Sequence, residues 1–239
     1  LNASVGGGAT AFSAATATST ITITDVNDAP TLSNMTTAVS YQEDAAKASA
    51  QVIDSDIIFS DIDTGDLNSG TLTVYYSAGG STDDQLSFAE AAGITINGAE
   101  VRYSGNPFGT ISPDGADGVS LGVAFDTADA TVGAVDALIE VLRYQNTSDA
   151  PTLNRTIQIQ VTDGDDGSLA SPPETIITVN PENDVPGATN LSQTQPYVEG
   201  AGSLTLDDIV VTDPDAGETI TATLTLDTVS TGILTAATG

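Results

Sequence analysis

Residues 16–30 read Thr16-Ala17-Thr18-Ser19-Thr20-Ile21-Thr22-Ile23-Thr24-Asp25-Val26-Asn27-Asp28-Ala29-Pro30, and this stretch decides the fold class. Ala17, Ser19, Ile21 and Ile23 alternate with Thr18, Thr20, Thr22 and Thr24, the period of two expected when one face of a strand is buried. A strand is therefore predicted over 16–26. It stops in an acidic turn, because proline ends regular structure and forces extended backbone on the residue before it. The same punctuation is written twice. Asn27, Asp28 and Pro30 recur as Asn183, Asp184 and Pro186, and the Tyr-Xaa-Glu of Tyr41 to Glu43 recurs at Tyr197 to Glu199, both at an offset of 156. Ser60-Asp61-Ile62-Asp63-Thr64-Gly65-Asp66 matches Thr212-Asp213-Pro214-Asp215-Ala216-Gly217-Glu218 at an offset of 152. Self-similarity over one domain length marks a tandem array.

Working outward, the same alternation appears at Leu72, Val74 and Tyr76, at Val119, Leu121, Val123 and Phe125, at Ile157, Ile159 and Val161, and at Ile177 and Val179. These are short strands of the sandwich type. Ile94-Thr95-Ile96 and Val101-Arg102-Tyr103 flank Asn97-Gly98, whose tolerance of positive φ predicts a tight hairpin. One segment follows a different period. Val132, Val135, Leu138, Ile139 and Leu142 recur at steps of three and four behind Thr131 or Asp129 as a cap, which predicts a single helix over about 131–142 that covers one end or edge of the sheet. The acidic turns divide the chain into three pieces: 1–29 as the last strand of a preceding repeat, 30–185 as one whole repeat, and 186–239 as the start of the next. A strand at either end that lacks its sheet is expected to be poorly ordered or paired elsewhere.

Four Lys plus Arg face 33 Asp plus Glu, a net charge of −29, so the compact state repels itself unless cations sit among the carboxylates. Nucleic acid and anionic membrane surfaces are poor partners, because both are bound through basic groups that this chain almost lacks. Hydrophobic residues at 39% against 15% charged set the chain apart from acidic disordered sequences. With no cysteine and no histidine there is no thiolate nucleophile, no imidazole base and no zinc ligand other than carboxylate. No run approaches the ~20 apolar residues that span a bilayer, and the first residues carry no basic stretch followed by an apolar one, so any export address is expected outside this sequence.

Calcium takes six to eight oxygen ligands in irregular geometry, so its mark in a sequence is clustered Asp, Asn and carbonyl groups on loops. Asp61-Xaa-Asp63 presents alternating carboxylates, Gly65 permits the tight turn, and Asn68 offers an amide oxygen. Asp163, in Thr162-Asp163-Gly164-Asp165-Asp166-Gly167, follows a strand directly and is placed to reach the same end of the sheet. Asp83-Asp84, Asp114-Gly115, Asp117-Gly118 and Asp149 read instead as solvated turns, whose side chains bond nearby backbone. Asp54 and Asp56 are open between ligand and cap.

These residues, in this order, resemble the cadherin-like tandem repeats of large bacterial surface proteins and adhesins. Asp25-Val26-Asn27-Asp28 looks like the cadherin linker motif, Asp61-Ile62-Asp63 like the Asp-Xaa-Asp motif of the following domain, and Asp163-Gly164 like its late Asp-Xaa-Gly loop. Glu43 and Glu199 resemble the first-strand glutamate that faces the next linker. The stretch from Ala137 to Ser148 resembles a subgroup with a helical insertion related to proteoglycan-like repeats. The family's last linker Asn is Ala29 in one copy and Val185 in the other, Pro181 replaces the first Asp in the second, and the Leu-Asp-Arg-Glu motif is missing.

The resemblance implies an all-β fold of tandem cadherin-like (Ig-like) β-sandwiches, the central one carrying a short helical insertion. It implies calcium in a first linker held by Asp25, Asn27, Asp28, Asp61, Asp63, Asn68 and Asp163. A second linker would draw on Glu43, Glu182, Asn183, Asp184, Asp213 and Asp215, with roughly one or two ions in each. It further implies an extracellular, cell-surface bacterial spacer that supports adhesion, whose partners are calcium, neighbouring repeats of the same chain, and like copies or surface glycans. The alternative is a calcium-dependent glycan- or peptide-binding module, since 30–185 is long for a sandwich of ~100 residues; Tyr75, Tyr76, Tyr103 and Phe108 are the residues it would use. An enzyme is not expected, because no carboxylate pair stands apart from the turns in a cleft.

Overall fold

The computed structural model describes residues 18–24, 26–215, 217–225 and 232–235. In chain order the elements are β1 (Thr31–Ser33), β2 (Ala38–Gln42), α1 (Glu43–Ala48), β3 (Gln51–Val52), β4 (Ile58–Ser60), β5 (Thr71–Ala78), β6 (Asp84–Phe88), β7 (Ile94–Asn97) and β8 (Glu100–Tyr103). They continue with β9 (Asn106–Asp114), β10 (Leu121–Phe125), α2 (Val132–Glu140), β11 (Leu142–Asn146), β12 (Asn154–Thr162), β13 (Glu174–Asn180), β14 (Gly187–Ala188) and β15 (Val211–Thr212). The protein is predominantly β. One sheet of eight strands runs β2-β13-β12-β5-β10-β9-β8-β7, one of three runs β3-β11-β6, and β1-β4 and β14-β15 form separate pairs.

Alternation places the core. Leu72 and Val74 of β5, Leu121, Val123 and Phe125 of β10, Ile157, Ile159 and Val161 of β12, and Ile177 and Val179 of β13 are all buried. They form one cluster with Leu86, Phe88, Leu142 and Tyr144 of the three-stranded sheet. Val119 lies outside its expected strand and is exposed. The β7–β8 hairpin forms one residue later than the Asn-Gly signal suggests: Asn97 pairs with Glu100, which leaves Gly98 and Ala99 as the turn. Gly98 has φ +64 and Ala99 no positive φ, the pattern of a turn with glycine first.

The predicted helix exists as α2, and the Thr131 side chain accepts from Ala134 N at its start. Its expected end is too late, because Leu142 opens β11, where strand pairing with Phe88 takes over. Asp136 on α2 accepts from Phe59 N at 2.7 Å and so satisfies a backbone donor of β4. A second, unpredicted helix is α1, six residues anchored by buried Ala46. Too short to show a helical period, it is fixed by packing instead.

The predicted strand over 16–26 is corrected as far as the described residues reach. Residues 18–24 form no strand, with Ile21 85% and Ile23 88% exposed; Thr16, Ala17 and Asp25 lie outside the description. Alternation supplies an apolar face, but a strand also needs a neighbouring edge for its backbone groups, and no described residue pairs with this segment.

Two pairings position the acidic loops. β2 runs parallel to β13, with Gln42 beside Asn180, so the chain leaving both strands emerges at one end of the sheet, bringing Glu43 to Glu182. β12 runs antiparallel to β5 with Thr162 beside Thr71, so Asp163 emerges at the opposite end. Counted along β12 and its extension, from about residue 152 to 163, the two ends lie roughly 35 Å apart at the rise of a strand.

Candidate metal centre

At the first end, Asp163 is fully buried immediately after β12. Its Oδ1 accepts from the backbone N–H groups of Asp165 (2.8 Å) and Gly167 (2.9 Å), and its Oδ2 from Asn27 Nδ2 (2.9 Å). Burial pushes this carboxyl up, but the donors, Asn27 first, outweigh it and hold the group below the usual carboxylate range. Gly164, at φ +94, lets the loop close: a Cβ there would run into the Asn68 carbonyl oxygen.

Asp61 is the opposite case. Its Oδ2 is buried with no donor, while Oδ1 receives a long contact from Thr64 N at 3.4 Å. Burial and the Asp63 side chain push it upward, the backbone N–H groups of Asp63 and Thr64 oppose this, and the charge of Asp163 adds to the rise. Asp63 Oδ2 accepts from Asp28 N at 2.8 Å. Asp28, Thr31, Ser60 and Asp61 line an open cleft of about 700 Å³. Asn27, Asp28, Asp61, Asp63 and Asp163 are thus brought together. The Asn68 carbonyl oxygen packs against Gly164, the Asn68 side chain makes no contact with these carboxylates among the described residues, and Asp25 lies outside the description.

At the second end, Glu43 is 2% exposed, and its Oε2 accepts from Glu182 N at 3.0 Å. Burial pushes its carboxyl up; Glu182 N opposes this, the charges of Asp184 and Asp215 add to it, and Lys47 opposes it. Asp184 N donates to Asp215 Oδ2 at 2.6 Å, and Asp215 N to Asp213 Oδ1 at 3.0 Å. Asp184 Oδ2 is buried without a donor. Carboxylate oxygens of Glu43, Asp149 and Asp184 lie within 4.8 Å of one another, as do those of Asp213, Asp215 and Glu218.

Two expected ligands point elsewhere. The Glu182 carboxylate accepts from Asp44 N and Gln42 Nε2, and the Asn183 amide donates to the Asp184 carbonyl. Asp149, read as a solvated turn, is exposed and also brings its carboxylate beside those of Glu43 and Asp184. The signal for it was present in the sequence: Asp149-Ala150-Pro151 repeats the Asp28-Ala29-Pro30 of the first turn.

The sequence repeat is also a repeat of contacts. Asp28 N on Asp63 Oδ2 becomes Asp184 N on Asp215 Oδ2, and Thr31 paired with Ser60 becomes Gly187 paired with Thr212. Asn34 Nδ2 on the Asp56 carbonyl (2.8 Å, φ 63) becomes Asn190 Nδ2 on the Asp208 carbonyl (2.6 Å, φ 59). Each correspondence keeps the offsets of 156 and 152.

Other acidic residues have local tasks. Asp54 accepts from Thr36 N at 2.6 Å and from Asp56 N at 3.1 Å, and Asp56 Oδ2 accepts from Asn34 Nδ2 at 2.9 Å, so both carboxylates are engaged locally. Asp84, expected in a solvated turn, is fully buried at the start of β6 and takes Tyr144 OH, Asn146 Nδ2 (2.8 Å) and Ser81 N (2.8 Å). Arg155 Nε stands 2.9 Å from Asp84 Oδ1, angled as an ion pair rather than a directed hydrogen bond. The aromatic residues considered for glycan binding are not exposed: Phe108 is buried, and Tyr75, Tyr76 and Tyr103 are half-buried.

Both end centres offer only oxygen donors, and each holds a buried carboxylate oxygen that no described donor reaches. That arrangement fits a hard divalent cation. Among the described residues no helix is long and apolar enough to cross a membrane. Comparison with protein-family models, with curated proteins and with solved structures finds no match to this chain.

Proposed function

We propose that this chain is a run of cadherin-like β-sandwich repeats from a large extracellular bacterial adhesin or surface-matrix protein, and that it acts as a calcium-rigidified spacer supporting cell adhesion. One observation carries the reading: the same aspartate clasp, with a donorless buried carboxylate oxygen beside it, occurs at both ends of one sheet. Asn27, Asp28, Asp61, Asp63 and Asp163 would hold calcium at the first end. Glu43, Asp149, Asp184, Asp213 and Asp215 would hold it at the second. The ion supplies the positive charge that a chain of net −29 lacks, and binding only the folded state it stabilises by mass action.

The spacer role follows from placing such ions where successive repeats meet, at boundaries near 30 and 186, so that carboxylate repulsion becomes a stiff joint. Isothermal titration with calcium tests the binding. Solution scattering tests the role: an elongated particle in calcium that shortens or becomes more variable in chelator is the expected outcome. Heat from a glycan panel, or a scattering profile indifferent to chelator, overturns the spacer.

A further inference from the structure

The chain has one lysine, Lys47, and its ammonium contacts Asp149 Oδ1 inside the second centre. The other cations are placed elsewhere: Arg155 against Asp84, Arg102 against Glu100, and Arg143 on the Leu142 carbonyl. Among the described residues, no basic side chain pairs with a carboxylate of the first centre. The two centres therefore share a clasp and differ in a tethered positive charge. Lys47 belongs to the last turn of α1, whose first residue is Glu43, so one short helix supplies both a buried carboxylate of the centre and the ammonium facing its neighbour. Asp184 Oδ2, in the same cluster, remains buried without a donor, so the ammonium compensates Asp149 and leaves the rest of the charge unmet.

Resting on the calcium reading above, we propose that Lys47 is a built-in competitor cation that weakens the second centre for a divalent ion and steadies it while no ion is bound. An entering ion must take Asp149 from the ammonium and tolerate a like charge beside it. Both side chains are partly exposed, so Lys47 swings into water at small cost when displaced. The first centre has no such substitute and fills first as calcium rises.

The test is calcium titration of the whole chain in an Asp61→Ala background, which isolates the second centre, with circular dichroism confirming the fold. Lys47→Met is expected to tighten binding about tenfold and to lower the thermal midpoint in chelator. Lys47→Arg, which keeps the charge, is expected to bind close to the parent. In an Asp149→Asn background the effect of Lys47→Met should largely vanish. Calcium heat with an affinity unchanged or weakened by Lys47→Met overturns the competitor role and leaves the calcium site standing. No calcium heat in the parent or in Lys47→Met overturns the site itself, and the competitor role with it.

Discussion

The space between the two sheets and the acidic loops at the sheet ends treat buried carboxylates in opposite ways. Asp84, between the sheets, receives a tyrosine hydroxyl, an asparagine amide, a backbone N–H and a guanidinium, and Arg155 stacks over the Tyr144 ring with 5.4 Å to its centroid. Asp61 and Asp184, at the ends, each keep a buried oxygen with no donor. A carboxylate compensated from within needs nothing from solution, whereas one left short accepts a cation from outside. The difference separates an acid that holds the fold from acids available for binding.

The largest effect expected from this contrast is between the sheets. Arg155→Met strands the Asp84 charge and should cost about 3–5 kcal/mol in urea unfolding, equally in calcium and in chelator. A loss that shrinks in calcium breaks the separation. Next comes the ion itself: at free calcium about a hundred times Kd, each occupied centre adds about 2.7 kcal/mol, so chelator should lower the thermal midpoint of the unmodified protein markedly. An unchanged midpoint removes calcium from both ends. Asp63→Ala and Asp215→Ala each take the acceptor from one aspartate N–H, costing about 1 kcal/mol in chelator. Each should silence calcium at its own end alone, and loss at both ends would show the centres to be coupled.

The smallest expected effect sharpens the comparison with pH. Burial pushes the Tyr41 hydroxyl up to about 12, with Arg143 opposing, and its ring stacks on Tyr144 beside the Asp84 network. The folded state therefore favours the neutral phenol over the unfolded chain's value of 10.0. This contribution is complete below pH 10.0 and is lost as pH rises through about 12. Followed by phenolate absorbance alongside unfolding, it should be the same with and without calcium, since the Tyr41 hydroxyl donates to the Val52 carbonyl and to no carboxylate of the end centre.

Sequence made the strands legible where one face is buried, as at Leu72 and Val74 or Ile157 to Val161, because alternation records burial directly. The cap at Thr131 and the duplicated aspartate clasp were legible for a similar reason, since capping and repetition are written locally. Long-range meetings were not. Asp84 and Arg155 each sit in an unremarkable local pattern, and only the placement of β6 beside β11 and of β12 across the core unites them. Asp149 reaches Glu43 by the same kind of crossing, so its Asp-Ala-Pro signature pointed to a turn and could not name its partners. Residues 18–24 show the converse, a strand pattern without an edge to pair with.

The parallel neighbours β2 and β13 have a mechanical consequence. Tension carried along the chain enters β2 at Ala38 and leaves β13 at Asn180, at opposite ends of a ladder of five registered pairs from Ala38 beside Ile176 to Gln42 beside Asn180. Pulling therefore loads those pairs together in shear rather than peeling them one by one, and the ladder resists as a single clamp.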